Sequence, residues 1–397
     1  MERIAILSAR RTAIGTFGGV FQNVSAVDLG IAALKAAIAD AGAAPSQIDE
    51  VVTGNVLSSN LGQNVSRQIA VGAGLPVGVP AYSVNKLCGS GLKAVCLAAG
   101  AISLGEAEVV AAGGTENMSR APYVLPDERF GARLGNREAV DLVLRDGLWD
   151  AFENYHMGET AEILADEWEI SRREMDEFAV ESQARAQRAL AAGRFTEEIA
   201  PVAIPQRRGE PVEVRTDEHP RAGVTLEGIS GMKPAFRPDG RVTAANSSGI
   251  NDGASYLIVA RESVAESLGI EPLGYIAAYA SAGVEPSRMG FGPVPATEKA
   301  LARSGWKVGD IELVELNEAF AAQSLAVLKG FSKSIGALDP EIINVNGGAI
   351  ALGHPIGASG ARILTTLLHE MRKRELHRGL ATMCIGGGQG IAILVER

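Results

Sequence analysis

The 397-residue chain has three cysteines, at positions 88, 96 and 384, and three tryptophans. Three cysteines cannot build a disulfide framework or a zinc site, so a reducing compartment is expected. Aromatic residues make up only 5% of the chain, and nowhere do they interleave with a basic face. Lys and Arg, 37 together, are outnumbered by 47 Asp and Glu. The resulting net charge of -10 argues against nucleic acid and against an anionic membrane surface as partners. The first residues, MERIAILSARRTAIG, lack the long apolar core of a signal peptide and read as a first strand. No apolar run is expected to span a membrane, and the protein is expected to be cytoplasmic.

What is present is glycine, 47 residues of it, in a chain 46% hydrophobic. That combination fits tightly packed α/β layers in a soluble enzyme. The length predicts two or three domains. Ile4–Ser8 reads as a short strand, and Ser25 with Asp28 reads as a capping box opening a helix that stops at Gly42. Val51–Thr53 is a second strand, Asn64–Val71 a helix, and Glu108–Ala112 a strand ending in two glycines. Strands alternating with helices predict a mainly parallel sheet covered on both faces. From about Ser119 to Asn246 the chain turns charged and irregular, with one clear helix after the capping box Ser171–Glu174. This stretch reads as an insertion.

The α/β rhythm then resumes. Helices are predicted at Ala296–Ala302, Ala319–Leu328 and Gly357–Lys373, and strands at Ile311–Leu316, Ile342–Val345, Leu380–Ile385 and Ile391–Val395. A weak internal repeat appears. IDEVVTGNV (48–56) matches IELVELNEA (311–319), and AEVVAAGGTENM (107–118) matches LATMCIGGGQGI (380–391). Two similar halves flanking an insertion predict two facing α/β layers with a cleft where equivalent strand ends meet.

The stretch VNKLCGSGLKAVCLAAGAISLG (84–105) organises the reading. It predicts a strand ending at Cys88, a sharp turn through Gly89-Ser90-Gly91, and an alanine-rich helix. Amides at a helix N-terminus favour negative charge, so the Cys88 thiol is expected to ionise more easily than a free cysteine. The same placement also suits a small core residue. Three further motifs fall at strand ends or just after them: Asn317-Glu318-Ala319-Phe320, the glycine loop from Gly347 to Gly357 that carries His354, and Cys384 before Gly386–Gly388. A histidine hydrogen-bonded to a thiol raises its thiolate fraction and polarises a bound carbonyl.

Taken together, VNKLCGSGLKAV, GGTENMS, YHMG, NSSGINDGA, NEAF, NVNGGAIALGHPIGASG and CIGGGQG resemble the thiolase family, in its biosynthetic acetyl-CoA acetyltransferase branch. The resemblance covers nearly the whole chain. It implies duplicated α/β halves layered α-β-α-β-α, with residues 1–119 completed by 247–270 as the first half. Residues 120–246 would be an inserted loop domain for coenzyme A binding and tetramerisation, and 271–397 the second half. It implies reversible Claisen condensation of two acetyl-CoA, with a broad-range 3-ketoacyl-CoA thiolase as the alternative. No metal and no cofactor beyond the coenzyme A thioester substrates are implied.

The roles carry over residue by residue. Cys88 would hold the acyl group, His354 would activate it and donate to the thioester oxygen, and Cys384 would exchange the methyl proton. Asn317 would hold a water in the oxyanion site, and the N–H groups of Cys88 and Gly386 would form a second oxyanion hole. His156 and Met157 would line the acyl and pantetheine pocket, Arg221 and Ser248 would contact coenzyme A, and Phe236 and Phe320 would add apolar wall. A loop around Tyr123–Leu144 would tie two dimers into a homotetramer. Gly228 stands where a serine near the coenzyme's nucleotide is expected. Cys96 reads as core, and His219, His369 and His377 read as solvated surface.

Three rival readings exist. GSGLKA (89–94) imitates a dinucleotide fingerprint, but a cysteine occupies its turn and its strand is not the chain's first. A decarboxylating ketoacyl synthase would need a second histidine where Cys384 stands. A non-catalytic acyl-CoA carrier would not need the nucleophile.

Overall fold

The computed structural model describes residues 2–397. Nine main strands hydrogen-bond side by side. They are β1 (Ile4–Thr12), β2 (Glu50–Gly54), β3 (Ala81–Val84), β4 (Val109–Asn117), β5 (Asn251–Arg261), β6 (Gly274–Gly283), β7 (Leu313–Leu316), β8 (Arg378–Ile385) and β9 (Gln389–Glu396). Their order is β7-β8-β9-β6-β1-β5-β4-β2-β3. Among the described residues, the strands of the two halves pair with each other where Ala5 and Ile6 of β1 meet β6. On either side of that seam the topology repeats: β1-β5-β4-β2 in one half matches β6-β9-β8-β7 in the other.

The sheet is mixed, which corrects the expectation of a mainly parallel one. The pairs β2–β3, β2–β4 and β7–β8 are parallel, while β1–β5, β4–β5, β6–β9 and β8–β9 are antiparallel. The short glycine turn between β8 and β9 dictates this, because a tight turn can join only antiparallel neighbours. The predicted strand Ile342–Val345 is absent apart from one bridge, Ile343 to Val314. There the Asn344 side chain replaces the ladder, accepting from Leu316 N–H and donating to Leu316 C=O, both at 2.8 Å. Asn344 itself has φ 45°, which no strand residue adopts.

Alternation along the strands sorts their side chains into layers. In β5, Tyr256, Ile258 and Ala260 face the outer helices α1 (Ala26–Asp40) and α2 (Val65–Gly72). Leu257 and Val259 face inward, onto α3 (Ser90–Leu104). In β9, Ile391, Ile393 and Val395 face that same inner layer, while Ala392 and Leu394 face another outer pair of helices, Pro293–Ser304 and Ala321–Ser334. The inner layer therefore holds α3 together with the helix Ser359–Arg374, giving five layers, α-β-α-β-α. Fully buried Leu92, Val95, Leu364 and Leu367 in this layer each contribute about 1.5–3 kcal/mol by leaving water.

The segment Leu87–Leu104 is, by length and composition alone, apolar enough to cross a membrane, contrary to the expectation above. Here it is the shared core helix, more than half buried between the two sheets. The inner helices approach backbone to backbone at their N-termini. A Cβ on Gly91 would lie 2.9 Å from Ala361 N, and one on Gly360 2.5 Å from Leu92 N. Only glycine permits that approach, and it brings the Cys88 turn up to the His354 loop.

The segment after β4 carries two longer helices, α4 (Gly158–Glu167) and α5 (Arg172–Ala191). Sequence periodicity points to the second, whose capping box Ser171–Glu174 forms as expected. Arg11 of β1, fully buried, anchors this segment through Glu198 at 2.6 Å and Asp217 at 2.7 Å. Burial alone would lower the guanidinium's pKa, but the two carboxylates more than offset it and hold the charge.

Candidate active site

β3 ends at Val84, so Cys88 lies in the turn that follows and not on the strand. The turn is built from side-chain caps. Asn85 Oδ1 accepts the Leu87 N–H at 2.9 Å while Leu87 takes φ 45°, and Ser90 Oγ accepts the Lys86 N–H at 2.8 Å and donates to Leu87 C=O at 2.6 Å. A Cβ on Gly89 would lie 2.4 Å from Ile385 Cδ1, so the turn presses directly on β8. Cys88 is half-buried, and two backbone N–H groups, its own and that of Gly386, act to lower its thiol pKa. Burial nevertheless pushes the thiol up, and Glu116 adds to the rise. The expectation of an easily ionised thiol is therefore corrected: desolvation outweighs the N–H groups, and a proton acceptor is needed to remove its proton.

Cys384 lies near the end of β8, buried against Met157, Phe320 and Ile350. Burial pushes its thiol far up, and charge on Cys88 raises it further, so the two sulfurs face one another electrically. Gly386 follows in the β8–β9 turn. Its missing side chain matters, because a Cβ there would lie 2.9 Å from Leu87 Cδ1 and 3.2 Å from Met157 Cε.

His354 is buried, and burial drives its imidazole pKa down to about 3, with Arg362 contributing. The neutral ring is held through Nδ1, 2.6 Å from Ser359 Oγ. Ser359 Oγ donates its one proton to Pro355 C=O at 2.9 Å, so it accepts from His354 Nδ1–H. This leaves the lone pair on Nε2, which has no protein partner among the described residues. Asn317, between β7 and the helix Ala321–Ser334, is also fully buried. Its backbone N–H donates to Thr382 C=O at 3.0 Å, and neither end of its side-chain amide meets a protein partner among the described residues.

A cavity of about 510 Å³ leads to His354. His156, Phe236, Phe320, Arg221 and Ser248, the residues that the family resemblance implies for substrate contact, line it. His156 stacks on Phe236 at 4.6 Å, and Phe236 meets Phe320 edge-on at 6.0 Å. Burial lowers the His156 pKa, and its Nδ1 accepts the Gly158 N–H at 3.0 Å, so the neutral ring carries its proton on Nε2. Gly158 lies so close to Phe236 that a Cβ would be 2.2 Å from the ring. Met157 is not on the cavity wall but buried beside Gly386. Gly228 sits in a short helix, Leu226–Ser230, and does not line the cavity.

Two histidines are misplaced by the sequence reading. His219, flanked by charged residues in sequence, lines the cavity, and burial brings its pKa down to about 4. His369 is buried too, its Nε2 donating to Ala9 C=O at 2.8 Å. His377 is exposed and Cys96 is core, as expected. Thr16, Phe17 and Gln183 also line the cavity, and sequence reasoning gave them no role. Gln183 lies on the predicted helix, one position after the apolar-face residue Ser182, and its Oε1 accepts the Arg221 N–H at 2.9 Å.

Residues 4–263 match the family model described as thiolase, N-terminal domain, and residues 270–397 the one described as thiolase, C-terminal domain. An acetyl-CoA acetyltransferase of Cupriavidus necator is 55% identical over 397 residues, covering 100% of both chains. One of Pseudomonas aeruginosa is 53% identical over 397 residues, again covering 100% of each. The crystal structure of the Bacillus anthracis acetyl-CoA acetyltransferase superposes with a TM-score of 0.96 at 44% identity, covering 100% of this chain and 99% of that one.

Proposed function

Because the chain belongs to the thiolase family, we propose that it condenses two acetyl-CoA into acetoacetyl-CoA and free coenzyme A, and runs the reverse thiolysis, through an acetyl thioester on Cys88. The observation that carries this reading is the Cys88 sulfur itself. The Gly386 N–H favours its thiolate, its charge is felt at the Cys384 thiol, and it lies where the Cys88 turn meets the loop of a neutral histidine whose Nε2 has no protein partner among the described residues.

In the first half-reaction His354 Nε2 takes the Cys88 S–H proton, and the thiolate attacks the acetyl carbonyl. The imidazolium N–H then donates to the oxyanion, with Asn317 holding a water as its second donor. The C–S bond to coenzyme A breaks, and Cys384 protonates the leaving thiolate. Cys384, now a thiolate whose buried pKa is high, is a strong base. It removes a methyl proton from the second acetyl-CoA. The carbanion forms a C–C bond to the acetyl-Cys88 carbonyl, whose oxyanion sits between the Cys88 and Gly386 N–H groups, and the Cys88 thiolate leaves. The His354 imidazolium returns its proton to that thiolate, which restores the neutral ring and both thiols.

Arg221 and Ser248 on the cavity wall support a coenzyme A site there. Leu87 and Met157, packed against Gly386, support a preference for short acyl groups. We also propose a homotetramer, since Tyr123, Phe130 and Leu134 in the 123–144 loop are 66%, 84% and 96% exposed and apolar. The free thiols of Cys88, Cys96 and Cys384 suit a reducing, cytoplasmic setting. Thiolysis rates measured on 3-ketoacyl-CoA substrates of rising chain length test the assignment. Acetoacetyl-CoA should be cleaved fastest, and faster cleavage of long chains would favour the broad-range enzyme.

A further inference from the structure

The loop that carries His354, residues 347–357, is tied down at three points by side chains from outside it. At its start, Glu318 accepts the Ile350 N–H at 3.2 Å and the Ser182 hydroxyl at 2.7 Å. That hydroxyl in turn accepts the Gly348 N–H at 3.1 Å. In the middle, Asn251 Oδ1 accepts the His354 N–H at 2.9 Å. At its end, Glu116 accepts the Gly357 N–H at 3.0 Å. The same carboxylate holds the Val56 N–H at 3.0 Å, the Leu57 N–H at 3.1 Å and Asn55 Nδ2 at 2.9 Å. Glu116 and Asn251 are 0% exposed and Glu318 is 2% exposed.

A glycine of the loop faces each anchor. A Cβ on Gly348 would lie 2.2 Å from Glu318 Cδ, one on Gly353 2.5 Å from Asn251 Cγ, and one on Gly357 2.6 Å from Glu116 Oε2. Each glycine thus leaves the space its anchor fills. Every hydrogen-bond partner of the two carboxylates is a donor, an arrangement that favours the ionised form against the burial that raises both pKa values. Burying two carboxylates costs stability unless they are fully bonded. Here the bonds converge on a loop whose single functional side chain is His354.

We propose that Glu116, Asn251 and Glu318 are positioning residues that fix the His354 imidazole against Cys88. None is placed on the substrate, and apart from the direct pull of the Glu116 charge on the Cys88 thiol their effect passes through His354, so the proposal rests on the reading of His354 as the proton acceptor for Cys88. A displacement of about 1 Å at a catalytic group costs about 10²-fold in rate.

Glu116→Gln and Glu318→Gln keep the shape but turn an NH₂ towards backbone donors, so each must release part of its anchor. In variants whose melting and circular dichroism match the parent protein, kcat should fall about 10- to 100-fold with KM for acetyl-CoA within about twofold. The single-turnover rate of Cys88 acetylation should fall by the same factor. Adding Glu318→Gln to His354→Asn should cost nothing further, because that anchor acts only through that ring; an additive loss, the mark of a merely structural role, overturns the proposal. Should a glutamine variant fail to fold, Gly357→Ala or Gly348→Ala attacks the same contact from the loop side and should give the same kcat loss. If His354→Asn is slow to acetylate but folded Glu116→Gln and Glu318→Gln acetylate at the parent rate, the anchors are not positioning residues. If His354→Asn acetylates Cys88 at the parent rate, the role of His354 falls, and this proposal with it.

Discussion

The backbone N–H of Gly386 favours the thiolate of Cys88, across 298 positions of sequence and from the opposite half of the duplicated fold. On the proposed reading, the oxygen of an acyl group carried by that sulfur would be bound by the same N–H. Gly386→Ala would press a methyl group on Leu87 and Met157. The expected result is a folded protein with kcat lower by about 10²–10³-fold, the usual cost of losing one oxyanion donor. Steady-state kinetics on acetoacetyl-CoA thiolysis checks it, and a change confined to KM would argue that Gly386 only shapes the pocket.

The sulfurs of Cys88 and Cys384 should separate by role. Cys384→Ala should still accept an acetyl group on Cys88, slowly, and should fail at condensation by about 10²–10⁴-fold. It should also stop exchanging the methyl protons of bound acetyl-CoA with deuterated solvent, measured by mass spectrometry. Normal exchange in a folded variant would make Cys384 a core residue and nothing more.

The buried neutral imidazole of His354 makes stability depend on pH. Its folded pKa of about 3 lies below the unfolded value of about 6.5. Stability from keeping the ring neutral is therefore fully present above about 6.5 and is lost as pH falls towards about 3, because only the unfolded chain binds the proton there. Urea unfolding of the parent and His354→Asn proteins at pH 7.5 and 5.5 isolates this contribution. The parent should lose on the order of 1 kcal/mol more than the variant over that interval. Equal losses would mean that the ring takes up its proton in the folded state.

Much of this was legible in the sequence, and the failures share one cause. The internal repeat of 48–56 with 311–319 and of 107–118 with 380–391 corresponds to β2 with β7 and β4 with β8, because apolar strands and glycine turns leave a local imprint. The turn at Leu87 and the strand lost at Ile342–Val345 were not legible, since each depends on an asparagine side chain, Asn85 or Asn344, standing in for backbone. His219 and His369 read as surface because their sequence neighbours are charged, yet tertiary packing buries His369 and half-buries His219 at the cavity wall. The raised Cys88 pKa was equally hidden: the helix N-terminus is visible in sequence, and the desolvation that outweighs it is not.

The exposed apolar loop predicts assembly. Phe130→Asp with Leu134→Asp should convert a tetramer into a dimer, read by sedimentation equilibrium at micromolar concentration, with little change in kcat per chain. A parent protein that already sediments as a dimer or a monomer would remove the loop's role.

The central claim is the covalent intermediate. The most direct measurement is mass spectrometry of the peptide containing Cys88 after brief incubation of the folded protein with acetyl-CoA and an acid quench. One acetyl group should be found on Cys88 and lost on adding coenzyme A, and Cys88→Ala protein should take up none. Acetyl found only on another residue, or full turnover by the folded Cys88→Ala protein, would contradict the account.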